Sequence, residues 1–155
     1  MEKTSTTDAF WQEAKDSGAD VSEDYWVRRI GGDPETTAII TDLVVRGLKR
    51  GTFGLQWLQE RQPELKPIMG TDAMLVNFDN VPQAIVRTTQ ITPVAYKDIT
   101  EDHLIVEGPG AHELKRWQDI HWPYWTRLLE PHGLEPTQDM LVMVEHFDLI
   151  YPSTA

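Results

Sequence analysis

Beyond Gly47 the chain carries four runs rich in β-branched, aromatic and other apolar residues: "TFGLQWL" (52–58), "AMLVNFD" (73–79), "QAIVRTTQI" (83–91) and "MLVMVEHFDLIY" (140–151). Residues of these types fit a pleated, half-buried surface, so each run is predicted to be a strand. "FDNVPQ", between the second and third, has the composition of a hairpin turn. Few helical stretches separate the runs, which argues against alternating βαβ units. The predicted class is α+β, with a curved or closed mixed sheet flanked by helices.

Helical signals come first along the chain. "TDAFWQEAKDSG" (7–18) reads as a helix with Asp8 as N-cap and Gly18 past its end. "SEDYWVRRIGG" (22–32) reads as a second short helix closed by Gly31 and Gly32. In "DPETTAIITDLVVRG" (33–47), Asp33 caps, Pro34 takes the first helical position and Gly47 ends the helix. Ala38, Ile39, Leu43 and Val44, with Leu48 beyond, supply a predicted buried stripe. Later, "TEDHLIVEG" (100–108) reads as a short helix capped by Thr100. "AHELKRWQDIHWPYWTRLLEPHG" (111–133) reads as helical to Pro123, with a kink or restart there and a stop at Gly133. At 155 residues, without repeats or a long linker, one domain is expected. Residues 1–24 form a helical extension packed on a domain of residues 25–155. Trp57, Trp117, Trp122 and Trp125 are expected in its core or lining a cleft.

Composition removes several kinds of chemistry. There is no cysteine, hence no disulfide, thiolate metal site or cysteine nucleophile. The five histidines form no HxH or HExxH pair, so no metal is expected, and no cofactor is called for. The serine-hydrolase elbow and the phosphate-binding GxxxxGK loop are both absent. The start has no basic region followed by an apolar one, and no window approaches a membrane span, so the expectation is a cytoplasmic protein with no membrane partner. A formal net charge of -11 repels a polyanion, so no long double-stranded nucleic acid is expected as partner.

One stretch runs against that charge. Between Leu43 and Lys66 stand Arg46, Lys49, Arg50, Arg61 and Lys66, against Glu60 and Glu64. Such a segment is either a solvated basic face or the wall of a cleft for one small anion or one exposed nucleotide. Within "RGLKRGT" (46–52), Lys49 and Thr52 are three apart, which on a regular strand puts them on opposite faces. They converge only if the backbone turns, and Gly51 permits a bend or bulge. A lysine beside a hydroxyl serves as general base when burial or neighbouring cations lower its pKa. Otherwise the pair is a surface lysine and a strand threonine. Glu107, followed by "GPG", stands where a helix gives way to a tight loop, either as an acid or partner for Lys49 or as an exposed helix end.

Taken together, "LVVRGLKRGT", "MGTDAMLVNFDNVPQAIVRTTQI", "ITEDHLIVEGPG", "LKRWQDIHWPYW" and "MLVMVEHFDLIY" resemble the ASCH family, related to the PUA domain of RNA-modifying proteins. The likeness runs from about Tyr25 to Tyr151 and is greatest to the bacterial stand-alone branch. Its G-x-K-x-x-T element falls on Gly47, Lys49 and Thr52, and its T-E-x-H-x-x-x-E-G element ends on Glu107 and Gly108. The resemblance implies a PUA-like mixed β-barrel flanked by helices, with Lys49 at the mouth of a cleft. Some small members are amidohydrolases acting on N4-acetylcytidine through a lysine, a threonine and a glutamate, roles that fall here on Lys49, Thr52 and Glu107. Others are ribonucleases, and RNA binding was proposed for the family. Where the branch commonly has an acidic EGEGD-like run, this chain has "EGPGAH", with Pro109 and Ala111 at the acidic positions.

Three activities follow as expectations. In an amidohydrolase, Lys49 takes the proton of Thr52, Glu107 orients the lysine or protonates the leaving amine, and backbone N–H groups near Gly51 hold the oxyanion. In a binding module, Arg46, Lys49, Arg50 and Arg87 grip a nucleoside, nucleotide or RNA end while Trp57 stacks on the base. A ribonuclease ranks behind the amidohydrolase, because no histidine pair is evident. Any affinity for long RNA is expected to be weak and to fall steeply with salt. Gel shifts across a salt series, with charge reversal at Arg46 and Arg50, check this. Tight binding at physiological salt that ignores the reversal contradicts it.

Overall fold

The computed structural model describes residues 1–153. Five strands form one sheet: β1 (Tyr25–Arg28), β2 (Gly51–Leu55), β3 (Asp72–Val76), β4 (Pro82–Ala95) and β5 (Leu141–Tyr151), in the order β1-β3-β4-β5-β2. The helices are α1 (Ser5–Asp16), α2 (Pro34–Val45), α3 (Gln56–Arg61) and α4 (Leu114–Leu129), with short 3₁₀ turns including Glu101–Val106. β1 runs parallel to β3, whereas β3–β4 and β2–β5 are antiparallel. The mixed α+β class is therefore as expected. The sheet is open among the described residues, with β1 and β2 at its edges, so these pairings do not confirm a closed barrel. No helix among the described residues is long and apolar enough to cross a membrane.

The chain divides into two compact units. The first holds Met1–Arg50, Pro67–Thr89 and the chain from Phe147 onward; the second holds Gly51–Lys66 and Gln90–His146.

In the first unit, α1 starts one turn earlier than expected. Thr4, not Asp8, is its N-cap: the Thr7 amide donates to the Thr4 hydroxyl (3.1 Å) and the Thr4 amide to the Thr7 hydroxyl (2.8 Å). Asp8 instead accepts from the Tyr25 hydroxyl. Trp11 and Ala14 of α1 pack with Tyr25, Val27, Met74, Val76 and Ile85. The predicted helix at 22–32 is instead β1. Burial alternates along it, with Tyr25 and Val27 inward, and period two wins because β3 offers a parallel ladder. α2 has the predicted cap, with the Thr36 amide donating to Asp33 (2.8 Å) and Pro34 in its first turn. Its buried face differs from the predicted stripe: Thr37, Thr41 and Val44 face inward, while Ile39 is 57% exposed. Thr41 is tolerated there because its hydroxyl donates back to the Thr37 carbonyl (2.9 Å).

The second unit is built around rings. Phe53, Leu55, Tyr96, Leu104, Val106, Trp117, Trp125, Val142 and Val144 belong to one buried cluster, against which Trp57 and Trp122 are partly buried. Trp117 stacks on His121 at 4.6 Å and meets Phe53 edge-on at 5.3 Å. α4 passes through Pro123 without the predicted restart. Pro123 and Asp119 are both exposed, so water can serve the carbonyl that the proline leaves without its amide partner, while Trp117 and Trp125 hold the helix on its buried side. Thr100 caps the Glu101–Val106 turn as predicted, its amide donating to His103 Nδ1 (2.9 Å). The "TFGLQWL" run is strand only to Leu55 and then turns into α3.

Asp72 is fully buried and sits opposite Arg87 on β4. Its carboxylate accepts from Arg87 Nε (2.7 Å) and Nη2 (3.1 Å) and from the Ser22 amide (2.8 Å), while Arg87 Nη2 also donates to the Asp20 carbonyl (2.8 Å). That bidentate pair ties the segment before β1 to the sheet. Arg87→Ala strands a buried carboxylate and is expected to cost about 3–5 kcal/mol. Urea denaturation checks this, and a loss below about 1 kcal/mol contradicts it.

Candidate functional site

β2 and β5 form a ribbon with two chemically different faces. Their register pairs Gly51 with His146, Thr52 with Glu145, Phe53 with Val144, Gly54 with Met143 and Leu55 with Val142. Directly opposed residues share a face. Phe53, Leu55, Val142 and Val144 therefore enter the ring core, while Thr52, Gly54, Met143 and Glu145 occupy the other side. Glu145 is only 2% exposed, and Gln59 of α3 is 9% exposed. The Gln59 Nε2 lies 2.6 Å from where a Cβ on Gly54 would stand, which places its amide on the same side as Thr52. Thr52 itself is half-buried.

No bulge interrupts the β2–β5 pairing from Gly51 to Leu55. The role of Gly51 is close approach. A Cβ there would lie 2.2 Å from the Glu145 carbonyl oxygen and 2.9 Å from the Val106 Cβ. Val106 ends the 3₁₀ turn, so the turn's end rests on the start of β2 and brings the following residue, Glu107, to the strand that carries Thr52. Glu107 is half-buried with extended backbone; its amide donates to the Leu104 carbonyl (2.9 Å) and its carbonyl accepts from His112 Nε2 (2.7 Å). Hydrogen bonds to its amide and to its carbonyl thus hold the backbone of this glutamate.

Lys49 belongs to the first unit and is 4% exposed. The turn that delivers it is a Schellman motif. Gly47 takes φ 73°, its amide donates to the Val44 carbonyl (2.9 Å), and the Leu48 amide donates to the Leu43 carbonyl (2.9 Å). The Lys49 amide shares that Leu43 carbonyl at 3.2 Å. Arg46 and Arg50 are exposed, Arg46 at 3.4 Å from Asp42 and Arg50 donating to the Gly47 carbonyl at 3.4 Å. Arg87, expected to bind substrate, donates from Nε and Nη2 to Asp72 and from Nη2 to the Asp20 carbonyl. Trp57 is half-buried against the ring core.

Sequence reasoning missed Glu145 and Gln59. A charged residue within the apolar run "MLVMVEHF" was a usable signal for the first. Gln59, in a short polar helix, offered none. Among the described residues no group of three His, Cys, Asp or Glu side chains is placed to hold a metal ion. A separate shallow hollow in the second unit is lined by Tyr96, Gln118, Asp119, Trp122, Pro123 and Gln138. There burial, and then the nearby Asp119 carboxylate, push the Tyr96 hydroxyl above its ordinary pKa.

A family model described as the ASCH domain matches residues 27–151. No curated protein matches the chain. Among solved structures, the ASCH domain from Lactobacillus crispatus JV V101 is 26% identical, with a TM-score of 0.86 and 98% of each chain covered. Protein EF3133 from Enterococcus faecalis V583 is 25% identical, with a TM-score of 0.77, covering 92% of this chain and 86% of that one.

The glycines of β2 give unequal expectations. Gly51→Ala drives a methyl into a carbonyl oxygen within the ladder, and a loss of about 1–3 kcal/mol is expected. Gly54→Ala meets only the far end of a flexible amide and is expected to cost less. Paired denaturation curves check the order, and equal stabilities contradict it.

Proposed function

Because the chain belongs to the ASCH domain family, we propose that it is an amidohydrolase acting on N4-acylated cytidine or a closely related nucleoside, with Lys49, Thr52 and Glu107 as its reacting groups. The observation that carries this reading is the burial of Lys49, 4% exposed in a chain whose other cations in that stretch are solvated. Lysine is rarely buried without a task or a partner. Thr52, by contrast, stays half-buried on its strand.

In this reading Lys49 accepts the Thr52 hydroxyl proton as the oxygen attacks the acyl carbonyl carbon. A C–O bond forms, the C–N bond breaks, and the proton passes to the departing exocyclic amine. Water then cleaves the acyl-threonine ester and releases the acid. Glu107 orients the lysine or supplies the proton to the amine. Pro109 and Ala111, at the branch's commonly acidic positions, leave the loop after Glu107 without those carboxylates. A second reading, a non-catalytic nucleotide- or RNA-binding module, draws support from the exposed Arg46 and Arg50, which suit a phosphate.

Hydrolysis of N4-acetylcytidine, followed by release of cytidine, tests the proposal. Lys49→Ala and Thr52→Ala are each expected to lower kcat at least about a hundredfold, and the double variant hardly further, since base and nucleophile act as a unit. Full activity in Thr52→Ala removes the nucleophile assignment. A wild type that hydrolyses nothing, yet binds a nucleotide that Lys49→Ala cannot hold, replaces the enzyme with the binding module.

A further inference from the structure

The second unit buries two side chains that end in an amide or a carboxylate among its described residues, Gln59 and Glu145. Both stand on the face of the β2–β5 ribbon that carries Thr52. Glu145 lies directly opposite Thr52, within reach of its hydroxyl in an antiparallel ladder. Gln59 lies over Gly54, two residues along the same strand face. The remaining member of the patch, Met143 opposite Gly54, is half-buried, as are Gly54 and Thr52. The patch is thus a half-buried threonine with the Gln59 amide packed over the glycine beside it and the Glu145 residue opposite.

We propose that Gln59 and Glu145 recognise a secondary amide lying across Thr52, Gln59 donating to its carbonyl oxygen and Glu145 accepting from its N–H. This rests on the amidohydrolase reading for the identity of the site and adds two residues that recognise the amide of its substrate. The pairing follows from what each group can do. The Gln59 Nε2 is packed over Gly54, two residues from Thr52 on the same strand face, and a donor beside a nucleophile suits an oxygen on which negative charge develops. A carboxylate repels that oxygen and attracts a donor instead. Glu145 has about four acceptor positions, so it serves a structural partner and a ligand N–H together. Gly54 is needed because any side chain there would displace the Gln59 amide. A secondary amide, –CO–NH–, fits this order of groups; an ester or a tertiary amide lacks the hydrogen that Glu145 would accept.

The test uses the full-length Thr52→Ala protein, so that binding is read without turnover. Its probes are N4-acetylcytidine, the N4-methyl-N4-acetyl analogue and cytidine, titrated by calorimetry. The secondary amide is expected to bind at least about tenfold more tightly than the tertiary one. Adding Glu145→Gln is expected to narrow that gap, and adding Gln59→Leu to weaken the acetylated ligand while leaving cytidine unchanged. In the otherwise wild-type protein, Gln59→Leu is expected to lower kcat/KM at least about a hundredfold, raising KM as well as lowering kcat. Thermal melts confirm that each variant is folded, and the ligand comparison stands even if Glu145→Gln is not. Equal binding of the two amides overturns the proposal, as does an unchanged affinity in Gln59→Leu, and hydrolysis by wild type would then leave the amidohydrolase reading intact. A wild type that hydrolyses neither amide but retains the preference overturns catalysis and supports recognition. Absence of binding by any of the three nucleosides overturns the proposal.

Discussion

The carbonyl oxygen of Glu145 occupies the space in which any side chain at position 51 would begin. The arrangement of the second unit follows from that contact. With hydrogen in place of a side chain, β2 pairs in register with β5, and the end of the 3₁₀ turn closes on the same spot through Val106. Close-packed interiors transmit such constraints, because a neighbour made of backbone cannot swing aside. The residue after Val106 inherits its place from the packing of the residue before it. Glu107 is therefore located by van der Waals contact at one end and by backbone hydrogen bonds at both.

The ribbon beyond Gly51 separates two tasks by the strand's period of two. One face is devoted to burial, with Phe53, Leu55, Val142 and Val144 set against stacked and edge-on rings. That face holds the strands rigid. The opposite face is free to carry polar groups whose burial would otherwise be costly. Rigid elements hold functional groups more closely than loops do, and both Thr52 and Glu145 stand on regular strand rather than on a connection.

What was legible in the sequence was what local chemistry decides. The start and stop of α2 follow from Asp33, Pro34 and Gly47, each acting on backbone within a few residues. Thr100 caps its turn for the same reason. The failures were non-local. Tyr25–Arg28 became a strand because β3 was available to pair with it, and nothing inside "SEDYWVRRIGG" announces a parallel partner almost fifty residues away. Pro123 was tolerated because its exposed side could do without a donor, a matter of which face meets the core. The α2 stripe was misplaced because hydrophobicity favoured Ile39, whereas the buried Thr41 satisfies its hydroxyl within the helix. Lys49, Thr52 and Glu107 were visible as motif residues. The crowding that makes Gly51 indispensable, and the face shared by Thr52 and Gln59, exist only once β2, β5 and α3 are assembled.

The packing of α1 bears on where this fold ends. Its Trp11 and Ala14 lie in one cluster with Tyr25, Val27, Met74, Val76 and Ile85, yet the family pattern begins only at position 27. A chain trimmed to that pattern would lose an indole from the interior and leave strand residues facing water, a change that in other cores costs about 3–5 kcal/mol for the tryptophan alone. The Lactobacillus relative aligns over nearly its whole length, including this helix's share of the chain. The recognisable motif and the packed core therefore have different boundaries, and Trp11 and Ala14 lie outside the first and inside the second.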